Sequence, residues 1–304
     1  MAELVKTRSE ILFLYDVTDA NPNGDPVDEN KPRIDEETGI NIVTDVRLKR
    51  TIRDYLHDYK KKDVFILETR DDKGNLRTKE DRLGDFKTAE DLLDKCIDIR
   101  LFGATTAVEG KTMVLTGPVQ FKYGRSLHKV DLTYVKGTTV MPSKADKKQG
   151  TFTEKYILPY SLIAFYGIVN ENAAANQGLN ITEEDISLML EGIWNGTKNL
   201  ISGSKFGQIP RLLMQVVYKE GNFYIGELDK RLTLVSSKND DKEIRDISDV
   251  KIDVTNLVKA LIVHKDKIEK IRLEVDERIA FVKDGVAVGI KDILSAFTFE
   301  NLGF

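Results

Sequence analysis

The sharpest local signal in this chain is a loop rich in side-chain oxygens, Asp19-Ala20-Asn21-Pro22-Asn23-Gly24-Asp25. Set against the calcium-loop pattern D-x-[DN]-x-[DN]-G-x5-E, it places Asp19, Asn21, Asn23 and Gly24 correctly, with Asp25 at the seventh position. The twelfth position is Asn30, where calcium needs a bidentate glutamate. Pro22 and Pro26 disturb the loop further. Two other readings stay open. Asx-turns could simply close the loop, or its amides and the Asn21 and Asn23 side chains could meet a ligand. Asp25, Asp28 and Glu29 could approach a Mg²⁺, but no helix presents them together. Neither a metal site nor a cofactor is expected.

Phosphate binding is the second chemistry on offer. The helix starting near Thr44 carries Arg47, Lys49, Arg50 and Arg53 beside an apolar stripe of Leu48, Ile52, Tyr55, Leu56 and Tyr59. The three arginines are expected opposite that stripe, with Lys49 flanking it. Such a face is usually only solvated, yet cations clustered near a helix start suit phosphate: the first amides are unsatisfied and guanidinium forks bind in pairs. A second candidate is Ile201–Arg211, in which Gly203, Ser204 and Gly207 let a ligand approach the backbone while Lys205 and Arg211 supply charge. It lacks the G-x4-G-K-[ST] spacing of a Walker loop.

Catalytic groups are sparse. His57, His128 and His264 are dispersed without metal spacing, and no Gly-x-Ser-x-Gly is present. Cys96 sits among Leu92, Leu93, Ile97 and Ile99, which suits a buried small hydrophobe better than a nucleophile. The chain is not expected to be an enzyme.

The elements that position these residues follow from periodicity. Glu10–Val17 reads as a central strand and Thr44 or Asp45 caps the helix that follows. Residues 60–100 read as an insertion: a strand-like Val64–Glu68, a Gly74–Asn75 turn and a helix over Thr88–Ile99. Thr112–Tyr123 reads as a strand bulged at Gly117–Pro118. A basic excursion runs from His128 to Lys155, followed by a buried strand, Tyr156–Val169. Thr182 caps a helix ending near Trp194, and Arg211–Tyr218 forms a strand hairpinned at Gly221–Asn222 to Phe223–Leu228. Beyond it come an acidic linker (238–253), a helix near 254–268, strands at Lys270–Val275 and Arg278–Val282, and a helix at Val286–Phe297. Without the insertions, the order is βαββαβ, the ferredoxin-like or RRM-like unit of an α+β fold.

The chain has 304 residues, enough for one elaborated domain or two. One cysteine excludes an internal disulfide and a Cys-rich metal cluster. No apolar stretch is long enough to span a bilayer and no signal peptide is visible, so a cytoplasmic protein with no membrane partner is expected. The formal charge of −4 conceals an uneven distribution. Residues 1–40 carry −6, whereas 41–62 carry +4 and 119–160 carry +5. This balance argues against loose DNA coating but allows a local anion track.

Four segments are similar to one known family. LFLYDVTDANPNGDP (Leu12–Pro26), TDVRLKRTIRDYL (Thr44–Leu56), LTGPVQFKYGRS (Leu115–Ser126) and GSKFGQIPRLLMQVVY (Gly203–Tyr218) resemble the "Cas seven" backbone subunit of type I CRISPR Cascade complexes, of I-B-like subtype within the RAMP superfamily. The resemblance extends to about residue 230. It implies an RRM-like palm (1–59 with 101–127 and 156–304), a finger insertion (60–100), a thumb β-hairpin (128–155) and a C-terminal α/β extension. It also implies copies aligned head to tail along a crRNA, holding its spacer for pairing to target DNA, beside other Cascade subunits. The thumb of the family presses on a neighbour's guide, which assigns Thr138, Thr139, Val140 and Met141 to its tip. The RNA track is then expected to include Asn21, Asn23, Gly24, Thr44, Arg47, Lys49, Arg50, Arg53, Arg125, Gly203, Ser204, Lys205 and Arg211. Related type III subunits cleave RNA with a loop aspartate, so the alternative is a metal-dependent RNA endonuclease using Asp25. The surrounding N-P-N-G-D-P follows the non-cleaving pattern.

Overall fold

The apolar run that opens the chain forms one long strand, β1 (Ser9–Ala20), in a computed structural model that describes residues 3–106, 113–138, 152–219 and 221–304. Its side chains alternate between two cores: Ile11, Phe13, Tyr15 and Val17 enter one, Leu12 and Leu14 the other. Burial on both faces explains why the strand reads as a continuous apolar run.

The elements around it are β2 (Ile40–Val43), α1 (Asp45–Asp58), α2 (Ile97–Phe102), β3 (Val119–Phe121), β4 (Gly124–Lys129), β5 (Thr133–Thr138) and β6 (Phe152–Val169). Then come α3 (Glu183–Lys198), β7 (Gln208–Tyr218), α4 (Thr255–Val263), β8 (Ile268–Val275) and β9 (Phe299–Asn301). The main sheet has the order β9-β8-β7-β1-β6-β4-β2, with β3 and β5 also paired to β6. β1 is antiparallel to both neighbours, and Phe13 lies opposite Phe165 and Leu213.

Helices α1 and α3 cover one face through Leu48, Ile52, Leu56, Met189, Ile193 and Trp194. Their ends form where the sequence places caps. Thr44 Oγ1 accepts from Arg47 N, and Thr182 with Asp185 makes a reciprocal capping box. The C-terminal region covers the other face with Leu228, Ile244, Ile247, Ile252, Leu257 and Leu261. Each such side chain contributes about 1.5–3 kcal/mol on burial.

That cover changes several expected elements. Residues 238–253 are no linker: Ile244, Ile247, Val250 and Ile252 are buried, and Val250–Asp253 pairs with Thr233–Ser236 and Phe281–Lys283 in a separate sheet. Phe223–Leu228 forms no hairpin strand. Its Ile225 and Gly226 amides donate to the buried Glu10 carboxylate, both at 2.8 Å, and β8 takes the place beside β7. The expected final helix is a strand, Val286–Val288, and a short helix, Ile290–Leu294.

In the insertion, Val64–Glu68 is not a strand, because the Phe65 and Ile66 amides donate to the Asp98 carboxylate instead. The helix expected over Thr88–Ile99 breaks at Cys96, whose backbone is extended between Ala89–Lys95 and α2. Cys96 is buried in a small core with Phe65, Leu83, Phe86 and Ile99, and burial pushes its thiol up to about 12. The strand expected over Thr112–Tyr123 is split: Met113–Thr116 pairs with Gly103–Thr106, and only β3 joins the main sheet.

β5 and β6 make the stem of a hairpin, with Tyr134 opposite Tyr156 and Thr138 opposite Phe152. The hairpin starts at Thr133 rather than His128, since β4 belongs to the main sheet. Thr139, Val140 and Met141, with Lys144, Lys147 and Lys148, lie outside the described residues.

Candidate nucleic-acid interface

The end of β1 is joined to the Gly/Ser loop by backbone hydrogen bonds. Thr18 N donates to Gly207 O at 3.0 Å and Asn21 N to Ser204 O at 2.7 Å. Gly207 adopts φ +105°, and a Cβ there would lie 2.5 Å from Thr18 O, so only glycine allows this approach. Lys205 Nζ donates to Asn21 O at 3.3 Å. Asn21, Gly203, Ser204 and Lys205 are therefore neighbours.

Asn23 ties the helix to the same place. Its Oδ1 accepts from both Thr44 N and Thr44 Oγ1 at 2.8 Å, and Thr44 Oγ1 in turn accepts from Arg47 N at 3.3 Å. Gly24 packs against Asn30 where any Cβ would collide. The Asn/Gly loop thus orients the first turn of α1 beside Lys205.

Two cations dominate the cluster. Burial, then the Arg47 charge, holds the Lys205 ammonium below its ordinary pKa. Arg47 is lowered by burial, against the opposing pull of Asp54. Its Nη2 donates to Thr51 Oγ1 at 2.9 Å, while its buried Nε has no partner among the described residues. Among the described residues, neither side chain makes an ion pair. Two like charges brought together without an ion pair to either favour an anion between them.

The hairpin stem closes the cluster. Lys155 Nζ donates to Gly203 O at 2.9 Å, and Tyr156 OH donates to Glu29 at 2.8 Å. Sequence reasoning missed Lys155, whose only signal was membership of the basic excursion. It also missed Gln208, 7% exposed, whose buried Nε2 has no partner among the described residues.

Other expected cations are committed elsewhere. Arg53 is buried against Asp98 at 2.8 Å, and Lys49 is held by Asp45 and Gln120, both at 3.0 Å. The insertion folds over the face of α1 that was expected to meet solvent, and its Asp98 supplies the counter-charge. Arg211 is buried between Asp16 and Asp276. These three are not open to a ligand as expected. Arg50 is exposed and paired with Asp54 one turn on, and Arg125 is exposed on β4 at 3.4 Å from Asp35. Asp25 accepts from Arg33 Nη1 at 2.6 Å and from Val27 N at 3.0 Å, closing its own turn. Among the described residues, no three His, Cys, Asp or Glu side chains converge to hold a metal ion. No helix among them is long and apolar enough to cross a membrane.

A mixed α+β chain with a cationic loop cluster at one end of a mostly antiparallel sheet is the class that fold and site define. The family model described as "CRISPR-associated protein Cas7" matches residues 7–255. A relative from Haloferax volcanii, described in the same words, is 34% identical over 90% of this chain and 88% of its own length. A solved chain titled "CRISPR RNA-guided surveillance complex" shares the fold with a TM-score of 0.56 at 16% identity, covering 97% of this chain and 94% of that one. Another, titled "CRISPR RNA-guided surveillance complex, pre-nicking", gives 0.56 at 13% identity, covering 96% and 100%. The chain belongs to the Cas7 family of CRISPR-associated proteins.

Proposed function

We propose that this protein is a non-enzymatic backbone subunit of a type I CRISPR surveillance complex in the cytoplasm. It binds the crRNA spacer through its phosphates, without reading sequence, and presents the bases for pairing to target DNA. Copies line up head to tail along the guide and join the other Cascade subunits. The observation that carries this reading is the convergence of Arg47, Lys205 and Lys155 on the glycine-bearing loop, with no ion pair among the described residues. Phosphate contacts position a strand without specifying its sequence, as guide binding requires.

The order β7-β1-β6-β4, with α1 and α3 on one face, supports reading the sheet as an RRM-like palm. Residues 60–100 are then the finger, and the hairpin that begins at Thr133, within 128–155, is the thumb. The opposite sheet face is filled by the C-terminal region, which leaves base stacking on that face no room.

The test is the nucleic acid that co-purifies with the protein from its native host. A discrete small RNA of spacer-plus-repeat length supports the reading, and its absence overturns it. RNA cleavage in Mg²⁺ that disappears in Asp25→Ala would favour the endonuclease instead.

A further inference from the structure

Two buried polar atoms at this cluster have no hydrogen-bond partner among the described residues, Asn21 Oδ1 and Gln208 Nε2. Asn21 is 2% exposed and Gln208 7%. The Asn21 amide is fixed in orientation, because its Nδ2 donates to Asn30 O at 2.7 Å, so the unpartnered end is an acceptor. Gln208 lies opposite Val17 in the β1–β7 register, so its side chain shares the sheet face of α1 and Arg47. Lys205 is three residues before Gln208 and touches Asn21 O. Leaving such groups unmatched in a folded protein is unfavourable. They lie beside two cations that call for an anion.

A phosphate satisfies Arg47 and Lys205 but offers nothing to a buried amide acceptor. A ribose 2′-hydroxyl, one bond network away from the phosphate, both donates and accepts. From this juxtaposition we infer that Asn21 and Gln208 form a 2′-hydroxyl pocket that makes the site selective for RNA over DNA. The inference rests on the RNA-binding reading above and deepens it. Arg47 and Lys205 supply affinity for either backbone, and the two amides supply the discrimination.

The test is fluorescence anisotropy with the full chain and three probes: a short single-stranded RNA, the DNA of the same sequence, and the RNA fully 2′-O-methylated. RNA is expected to bind about tenfold or more tightly than DNA, the equivalent of one buried hydrogen bond. The 2′-O-methyl RNA should fall with the DNA, since the methyl group removes the donor. Gln208→Met, close in volume, should weaken RNA binding several-fold and leave DNA binding unchanged. Equal binding of RNA and DNA by the wild type overturns the inference while leaving phosphate-based binding intact, and needs no variant to fold. Equal weakening of both by Gln208→Met also overturns it. Binding of neither probe removes both this inference and the reading it rests on.

Discussion

Arg211 on β7 reaches across to Asp16 on β1, with Nη2 and Nε at 2.8 and 2.9 Å from the same carboxylate oxygen. The register explains how. Leu14 pairs with Leu212 and Tyr15 with Pro210, so Arg211 is the extra residue of a β-bulge beside a proline that has no amide to give to the ladder. Tyr160 OH also donates to Asp16, at 3.1 Å, and Asp276 closes the other side of the guanidinium. Burial still leaves Asp16 raised above the ordinary carboxylate range despite Arg211.

This makes Arg211 a stability residue. Arg211→Ala leaves the buried Asp16 without its cationic partner, to stay charged at a penalty or take up a proton, which should cost about 3–5 kcal/mol. Urea denaturation should show the loss as a lower midpoint at an unchanged slope. RNA affinity of the protein that remains folded should keep its salt dependence. A normal midpoint with a shallower salt slope would return Arg211 to the binding track.

Arg47 and Lys205 should behave in the opposite way. Each substitution to Ala should weaken RNA binding about equally across sequences and reduce the salt slope by about one. Binding isotherms at several salt concentrations measure this directly. A change in sequence preference rather than in slope would assign these side chains to bases.

His128 gives the fold a pH limit. It is 2% exposed, its Nδ1 lies 2.8 Å from Lys129 O, and its Nε2 accepts from Leu162 N at 3.2 Å, so the neutral Nδ1–H tautomer links β4 to β6. Tyr160 stacks on the ring at 5.7 Å, and Asp241 is the nearby charge. Burial, the largest influence, lowers its pKa below 6.5. The unfolded chain therefore binds more protons in the window just below 6.5, and stability falls as the pH drops through it, by at most about 1.4 kcal/mol per pH unit. His128→Gln should flatten that dependence between pH 6.5 and 5.5 in urea titrations. An unchanged slope would place the titrating group elsewhere.

Much of this was legible in the sequence where the signal is local. β1, both capped helices and the glycine loop follow from periodicity, cap residues and turn chemistry within one or two turns of chain. What escaped depends on partners far along the chain. Arg53 looks solvent-facing until Asp98, 45 residues on, folds over it. Arg211 is decided by Asp16 and Asp276, and the Phe223–Leu228 segment by the carboxylate of Glu10. An acidic stretch such as 238–253 reads as linker because its four buried apolar side chains, Ile244, Ile247, Val250 and Ile252, are diluted by charges that stay in water.

The hairpin carries the last expectation. Its stem, Thr133–Thr138 paired with Phe152–Ile157, is tied to the binding cluster through Lys155 and Tyr156. A hairpin that reaches the guide held by a neighbour makes a heterologous contact, and one that does not close on itself propagates along the RNA. The acidic segment 1–40 and the basic segment 119–160 offer opposite charges to such an interface, which favours orientation over affinity. The number of bound copies should then rise stepwise with RNA length in native mass spectrometry. Replacing residues 139–151 with a short Gly/Ser turn leaves the stem and the Arg47–Lys205 cluster in place. It should preserve binding of one copy to a short RNA and abolish the stepwise growth, because each copy then adds without help from the one before it. Growth that survives the replacement, or a fixed stoichiometry in the wild type, would remove the hairpin from the assembly contact.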